Sequence, residues 1–304
     1  MAGEEDVPPE NSTNLPALRP QGTQLVVVRP GNRLVSRIAG DAYRHLPSPS
    51  EKLWRVGEYE VSEQSYRQIM IWLSQIRKSG NEITLAEFLC KQETMPWGAS
   101  VEWIKEGEIR QIQLNGYSLE QIDLSYVPYL THLSCHDNKI SRLDLHKVPM
   151  LKYLKCCDNM FFELDLSYVD KLQRLICTNN KLHYLNVRQN PLLFDLIFDD
   201  NIINKIEISN CYMLDYFSAN NNLLTHLDLS QQNNLYFACI NNNLLESIEL
   251  PIESNLDTIM LLNNKIEKLD LSNCKALTSV YFNGGKICGF EEDAEKGAFI
   301  YDKY

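Results

Sequence analysis

The residues in this sequence whose types and spacing could support covalent chemistry are His136 and Cys157, which lie 21 residues apart. They occupy the same position in two successive copies of a 21-residue pattern. If the copies stack as neighbouring strands, the two Cβ atoms lie about 5 Å apart. A histidine at that distance can take the proton of a thiol and create a thiolate nucleophile.

A metal site is the second chemical hypothesis for this position. His132 lies on the same face, Asp137 and Asp158 are close in sequence, and imidazole, thiolate and carboxylate groups all bind metals. An open sheet face, however, offers neither a pocket nor an oxyanion hole. We therefore expect no catalytic residue, no metal and no cofactor, and a protein that is not an enzyme, with enzymatic activity kept as an alternative.

The rest of the sequence contains no glycine-rich phosphate loop, no HExxH zinc motif and no GxSxG nucleophile motif. Cys90 is the one cysteine outside the 21-residue pattern, and it follows the apolar pair Phe88 and Leu89. This apolar context predicts that Cys90 is a buried core residue.

The element that must position all these residues is the 21-residue repeat itself. Its frame is L-x-x-L-x-[L/C]-x-x-N-x-L-x-x-L-x-L, and its asparagine recurs at a fixed interval as Asn138, Asn159, Asn180, Asn201, Asn222, Asn243 and Asn264. One repeat cannot bury its own leucines, so the repeats must stack and share a core. Each L-x-x-L-x-C segment predicts a short strand, and the asparagine amide can satisfy buried backbone donors and acceptors at the turn that follows.

This frame resembles the leucine-rich repeat, and its length resembles the short repeats of bacterial internalins and injected effectors. The resemblance covers residues 108–296 and implies an α/β solenoid: a horseshoe of about nine repeats with a parallel sheet on its concave face. Some injected effectors also carry a ubiquitin-ligase domain with a catalytic cysteine. Cys90 is the only candidate for that role, and the unit around it is too small for such a domain.

Four parts of the chain are predicted: a disordered tail (1–21), a small α+β unit (22–107), the solenoid (108–296) and a C-terminal tail (297–304). In the second unit, Gln24–Val28 and Arg33–Ile38 predict a hairpin. Ser62 predicts the start of a helix that ends at Gly80, and a capping box at Thr84 predicts a second helix. We expect this unit to cover the exposed core at the first repeat as a cap or adaptor.

Composition limits the partners. The formal net charge is −11, which argues against nucleic acid because phosphate binding needs a basic face. No apolar run is long enough to cross a membrane. The chain begins with an acidic segment and has nine cysteines, an odd number. We therefore expect free thiols and a cytoplasmic protein, with injection into a host cell as an effector as the alternative.

The x positions of the L-x-x-L-x-C strands point away from the core, so they form the concave surface. Its first half is polar or basic, whereas its second half is rich in aromatic, Met and Leu side chains, which favours a protein partner. The predicted partner-binding residues are Tyr153, Arg174, Ile197, Tyr216, Phe237, Met260, Leu262 and Tyr281.

The sequence therefore favours a protein–protein interaction module that acts as a scaffold or as the recognition subunit of a larger complex. Self-association through the same surface is one alternative. A second alternative is an effector or targeting subunit whose activity lies in the N-terminal unit.

Overall fold

A computed structural model describes residues 53–57, 59–93, 104–252, 254–290 and 299–301. The predicted tail at 1–21 and the predicted hairpin at 24–38 lie outside the described residues. Strands and helices are numbered below in their order along the chain.

The largest element is a ten-stranded sheet in which neighbouring strands run parallel. Nine successive repeats contribute one strand each, and the tenth strand, β20, comes from the C-terminal segment and pairs with β18. The predicted repeat solenoid is thereby confirmed. The strands are β5 (Gln111–Gln113), β6 (His132–Ser134), β7 (Tyr153–Lys155), β8 (Arg174–Ile176), β10 (Asp195–Ile197), β12 (Tyr216–Ser218), β14 (Phe237–Cys239), β16 (Thr258–Met260), β18 (Ser279–Tyr281) and β20 (Phe299–Tyr301).

The opposite side of the solenoid also contains short strands. They pair in parallel as β9 with β11, β13 with β15 and β17 with β19. These pairs form three separate two-stranded sheets, whereas the strands of the other side pair continuously. The strands are β9 (Tyr184–Asn186), β11 (Lys205–Glu207), β13 (His226–Asp228), β15 (Ser247–Glu249), β17 (Lys268–Asp270) and β19 (Lys286–Cys288).

The core lies between these two sides. The middle residue of each ten-stranded-sheet strand from β5 to β18 points inward and is buried. Cys135, Cys156 and Cys177 follow this position in three successive repeats, and none of them is exposed to solvent. All nine cysteines are free thiols, and burial raises the pKa of these three. They act as small apolar core residues, as predicted.

A ladder of asparagine amides fixes the turn after each strand. Asn201 is representative: its Nδ2 donates to the carbonyls of Cys177, Phe198 and Asp199 at 3.1, 3.0 and 3.1 Å. Its Oδ1 accepts from the backbone N–H of Leu182 at 3.0 Å. The same side chain therefore links its own turn to the previous repeat. Equivalent bonds are made by Asn138, Asn159, Asn180, Asn222, Asn243 and Asn264.

The N-terminal part of the described chain contains two helices between two small hairpins. Strands β1 (Trp54–Val56) and β2 (Tyr59–Val61) are antiparallel, as are β3 (Ile104–Lys105) and β4 (Glu108–Ile109). Helix α1 spans Glu63–Lys78 and is capped by Ser62, whose side chain accepts from the N–H of Ser65. Helix α2 spans Leu85–Glu93, and its start is the predicted capping box. Both helix predictions are confirmed.

Helices α1 and α2 lie against the first repeat. Trp72 is fully buried, and its Nε1 donates to the carbonyl of Asp123 at 2.7 Å. The side chain of Gln92 bonds both backbone groups of Gln113, at 2.7 and 3.1 Å. An amide side chain thus takes the place of a neighbouring strand at the edge of β5. Among the described residues, no helix is both long and apolar enough to span a membrane.

The ladder makes Asn201→Ala strongly destabilising. The substitution leaves the buried N–H of Leu182 without its acceptor, which costs about 1–3 kcal/mol. It also removes one of the two donors to each of three carbonyls, those of Cys177, Phe198 and Asp199, and each lost bond costs about 1 kcal/mol. We expect the free energy of unfolding to fall by about 3 kcal/mol in a urea titration. The exposed Asn204 in the same repeat is the matched control, and Asn204→Ala should change it by less than about 0.5 kcal/mol. Similar losses in both variants would contradict a structural role for the ladder.

Trp72→Ala tests whether the helices protect the solenoid end. Removing this buried side chain should cost about 3–5 kcal/mol of unfolding free energy. Amide hydrogen exchange should then accelerate in β5 and β6 as well as in α1, because the first repeat loses its cover. Arg67→Ala, on the exposed side of α1, is the control. Acceleration confined to α1 and α2 would show that the first repeat does not depend on them.

Candidate functional site

The outward-facing residues of the ten-stranded sheet form the candidate protein-binding face, which we call the concave face. Strand alternation places the first and third residue of each strand on this face. All eight predicted partner-binding residues lie on it, and each is half-buried. Their neighbours on adjacent strands supply the burial, because parallel strands bring equivalent side chains within about 5 Å of one another. Their role in binding stays a prediction.

Two stacked ring pairs occupy the first residue of their strands. Tyr216 on β12 and Phe237 on β14 have ring centroids 4.7 Å apart and an interplanar angle of 9°. His132 on β6 and Tyr153 on β7 stack at 4.3 Å and 11°. Because the ring separation equals the strand spacing, the sheet itself holds these aromatic side chains in parallel. They form rigid platforms on either side of the strands β8 and β10.

Arg174 and Asp195 form an ion pair between the two ring pairs, on the adjacent strands β8 and β10. The guanidinium also lies over the ring of Tyr153, 5.8 Å from its centroid. Burial raises the pKa of the Asp195 carboxyl group, an effect that the neighbouring Arg174 opposes and that Asp215 reinforces. This pair lies at the centre of the eight strands from β5 to β16.

The charges on either side of this centre have opposite signs. Burial, together with the positive charge of Lys152, lowers the pKa of His132 to about 4. Burial and Lys155 likewise lower the pKa of His136. On the other side, burial raises the pKa of Tyr216, and Asp199 and Asp195 add to the rise. The cations Lys152, Lys155 and Arg174 thus lie on the N-terminal side of the line between β8 and β10. The anions Asp195, Asp199 and Asp215 lie on its C-terminal side.

A second amide ladder lies just beyond the strand ends, and its structural role was not predicted from the sequence. The Oδ1 atoms of Asn220 and Asn241 accept from the backbone N–H of Asn241 and Leu262, both at 2.8 Å. Asp199 accepts from the N–H of Asn220 and from the hydroxyl of Ser218. These side chains extend the sheet pairing by one residue. Acceptors that recur in one column at the 21-residue interval were the signal for it.

The aspartates that precede the Asn ladder have a structural role at the surface. Asp137, Asp158 and Asp200 are exposed but adopt positive φ values of 57°, 53° and 54°, a region that Asn and Asp tolerate better than other residues with a side chain. Asn221 then donates to Asp200 at 2.7 Å, and Asn242 donates to Asn221 at 2.6 Å. The column forms an exposed hydrogen-bonded chain along one edge.

The His136 and Cys157 pair does not have the electrostatics of a catalytic dyad. Cys157 is buried, its thiol donates to the carbonyl of Ile176 at 3.6 Å, and burial raises the pKa of that thiol. The pKa of His136 is lowered. A thiolate–imidazolium pair requires the opposite shifts. Among the described residues, no three His, Cys, Asp or Glu side chains are grouped for a metal ion.

Several exposed apolar side chains lie outside the predicted site. A ridge beside the sheet carries Tyr129, Met150, Leu192 and Met213 at the same repeat position, each at least 36% exposed. The ridge could have been found from the sequence by reading the position three residues before each strand. The prediction that Cys90 belongs to the core is wrong, because its side chain on α2 is exposed.

No family model matches the sequence, and no curated protein matches it. Several solved structures do match. The leucine-rich repeat domain of APL1B is 20% identical, with a TM-score of 0.50 over 62% of this chain and 58% of that chain. The functional domain of InlJ from Listeria monocytogenes, described as including a cysteine ladder, is 24% identical, with a TM-score of 0.49 over 62% and 47%. The LRIM1/APL1C complex gives 19% identity and a TM-score of 0.48 over 59% and 40%.

The match to the APL1B domain agrees with the observed topology in showing a leucine-rich repeat fold. The matched parts span only about half of those structures, at 58%, 47% and 40% of their lengths. At these identities the similarity concerns the fold alone.

The buried His132 should make stability depend on pH. Its folded-state pKa of about 4 is below the unfolded value of about 6.5, so the unfolded chain binds the proton more tightly. The stability that neutral His132 contributes is complete above about pH 6.5 and is lost as the pH falls towards 4. Urea titrations should therefore show a smaller decline over this range in His132→Gln than in the wild type. Equal declines would contradict the burial of His132.

Proposed function

We propose that this leucine-rich repeat chain is a non-enzymatic protein-interaction module whose concave face binds a protein. The observation that carries the proposal is the apolar C-terminal half of that face. Tyr216, Phe237, Met260, Leu262 and Tyr281 hold outward positions, where packing of the core does not require apolar side chains. Aromatic and Met side chains on an accessible surface are typical of the centre of protein interfaces.

The geometry supports binding by a preorganised surface. The rings of Tyr216 and Phe237 are already stacked, so a partner does not have to order them, and less conformational entropy is lost on binding. Buried aromatic anchors commonly dominate interface energies. The charged groups beside them, from Lys155 to Asp199, would orient the partner and select against others more than they would add affinity.

We further propose that the protein acts as a scaffold or recognition subunit in the cytoplasm. Nine free thiols suit a reducing compartment. In this proposal residues 53–93 serve as the cap of the solenoid, because α1 and α2 bond directly to the first repeat through Trp72 and Gln92. No separate activity of this unit is needed to explain those contacts.

Alanine substitution of four anchors tests the proposed site. The variant with Tyr216, Phe237, Met260 and Tyr281 changed to Ala should lose a specific protein partner in affinity capture followed by mass spectrometry. A loss of at least about tenfold is expected, because anchors of this kind contribute about 1–2 kcal/mol or more each.

The chain offers a control with the same side-chain types away from this face. Met160, Phe162, Tyr168 and Tyr184 are all exposed, and their joint change to Ala should leave capture unchanged. Circular dichroism establishes that both variants fold. If the anchor variant retains every partner at native affinity, the concave face is not the binding site.

A further inference from the structure

Three cations and three anions on or beside the concave face are arranged symmetrically about the line between β8 and β10. Arg110 and Lys152 immediately precede β5 and β7, and Arg174 begins β8. In mirrored order, Asp195 begins β10, and Asp215 and Asp257 precede β12 and β16. All three cations therefore lie on one side of the line between β8 and β10, and all three anions lie on the other. Each cation has an anion at the same repeat position and at the same number of strands from that line.

Consider a second copy of the same sheet laid face to face on the first, related by a two-fold axis parallel to the strands above that line. Such an axis keeps the position along each strand and reverses the order of the strands. It places β8 against β10, β7 against β12, β6 against β14 and β5 against β16. Arg174 of one copy then faces Asp195 of the other, Lys152 faces Asp215, and Arg110 faces Asp257.

The apolar groups follow the same symmetry. The axis places Tyr153 opposite Tyr216 and His132 opposite Phe237, so each stacked ring pair faces the ring pair of the other copy. Near the axis, Ile176 on β8 faces Ile197 on β10. Four columns are compared: the residue before each strand, its first and third residues, and the second residue after it. In none of them does a residue face another of like charge. A surface that matches itself in this way is the defining feature of an isologous interface.

We propose that a second copy of this chain binds the concave face through this two-fold arrangement. The inference rests on the proposed function, because it names the protein that this face binds. Neither Lys152 nor Asp215 forms an ion pair within the described residues, so both charges are available to the other copy. Arg110 already lies 3.9 Å from Glu106 and contributes less.

The geometry of the repeats allows this contact. The eight strands β5, β6, β7, β8, β10, β12, β14 and β16 pair consecutively in the ten-stranded sheet, so each copy presents a continuous surface of the same width to the other. Eight strands and five positions per strand give a footprint of about 550 Å² per copy. This area is at the lower end of specific interfaces, for which micromolar dissociation constants are common.

A charge-swap experiment on the full chain tests the arrangement. In Lys152→Asp, two Asp–Asp contacts replace two ion pairs, and in Asp215→Lys two Lys–Lys contacts do so. Each variant alone should self-associate at least about tenfold more weakly than the wild type in sedimentation equilibrium at up to about 200 µM. Mixing the two variants in equal amounts restores both ion pairs, so a dimer should reappear that contains one copy of each.

The matched controls are Lys268→Asp and Glu249→Lys, which carry the same charge changes on β17 and β15 of the opposite side, and both should dimerise like the wild type. Restoration by mixing also proves that the variants fold. A wild type that stays monomeric throughout this range would overturn the inference, and the proposed binding of another protein would still stand on the alanine experiment.

A wild-type dimer that the four alanine changes do not weaken would place association elsewhere and would overturn the inference. If the variant with the four alanine changes also retains every captured partner, the proposed function is wrong as well as the inference of a dimer. A dimer that is weakened by the alanine changes but is not restored by mixing would overturn the two-fold register and leave the concave face as a protein-binding surface.

Discussion

The structure depends on the cost of burying backbone polar groups at a sharp turn. Each repeat turns sharply between its two sides, and the turn lies inside the stack, where water cannot satisfy its carbonyls and N–H groups. One asparagine side chain per repeat satisfies three carbonyls and one N–H. No other uncharged side chain of that size offers both donors and an acceptor. This requirement explains why the interval between asparagines stays at 21 residues while most other positions vary.

The same constraint determines the surface. Since each amide bonds to the preceding repeat, neighbouring repeats are locked in register, and each residue lies beside its equivalents 21 positions away. Surface chemistry is then organised in columns. Some columns serve the backbone: Asn220 and Asn241 extend the sheet, and Asn221 and Asn242 form the exposed chain at its edge. The column formed by the first residue of each strand instead contains the ring pairs and the central ion pair.

The fold was predictable because period, frame and capping residues all indicate the same structure. The solenoid, the inward cysteines, α1 with its Ser62 cap and the capping box of α2 follow from short-range sequence patterns. The degree of burial of side chains on the concave face could not be predicted from these patterns. Ser218 and Cys239 point outward, yet they are buried because longer side chains on adjacent strands cover them. That result depends on neighbours across the sheet, and the periodicity of one repeat does not contain it. The prediction that Cys90 is buried was wrong for a related reason: its apolar neighbours in sequence did not determine which side of α2 it occupies.

The central ion pair also determines whether two such faces could slide along each other. If the two-fold axis moves by half a strand spacing towards β7, Arg174 of one copy faces Arg174 of the other. If it moves equally towards β12, Asp195 faces Asp195. Either slip also separates Lys152 from Asp215 and places aromatic or polar groups opposite them. Repeated surfaces generally have many similar registers, because translation by one repeat brings equivalent residues together. Here the change of charge sign between β8 and β10 disfavours the two nearest alternatives, so one register is selected by repulsion as well as by attraction.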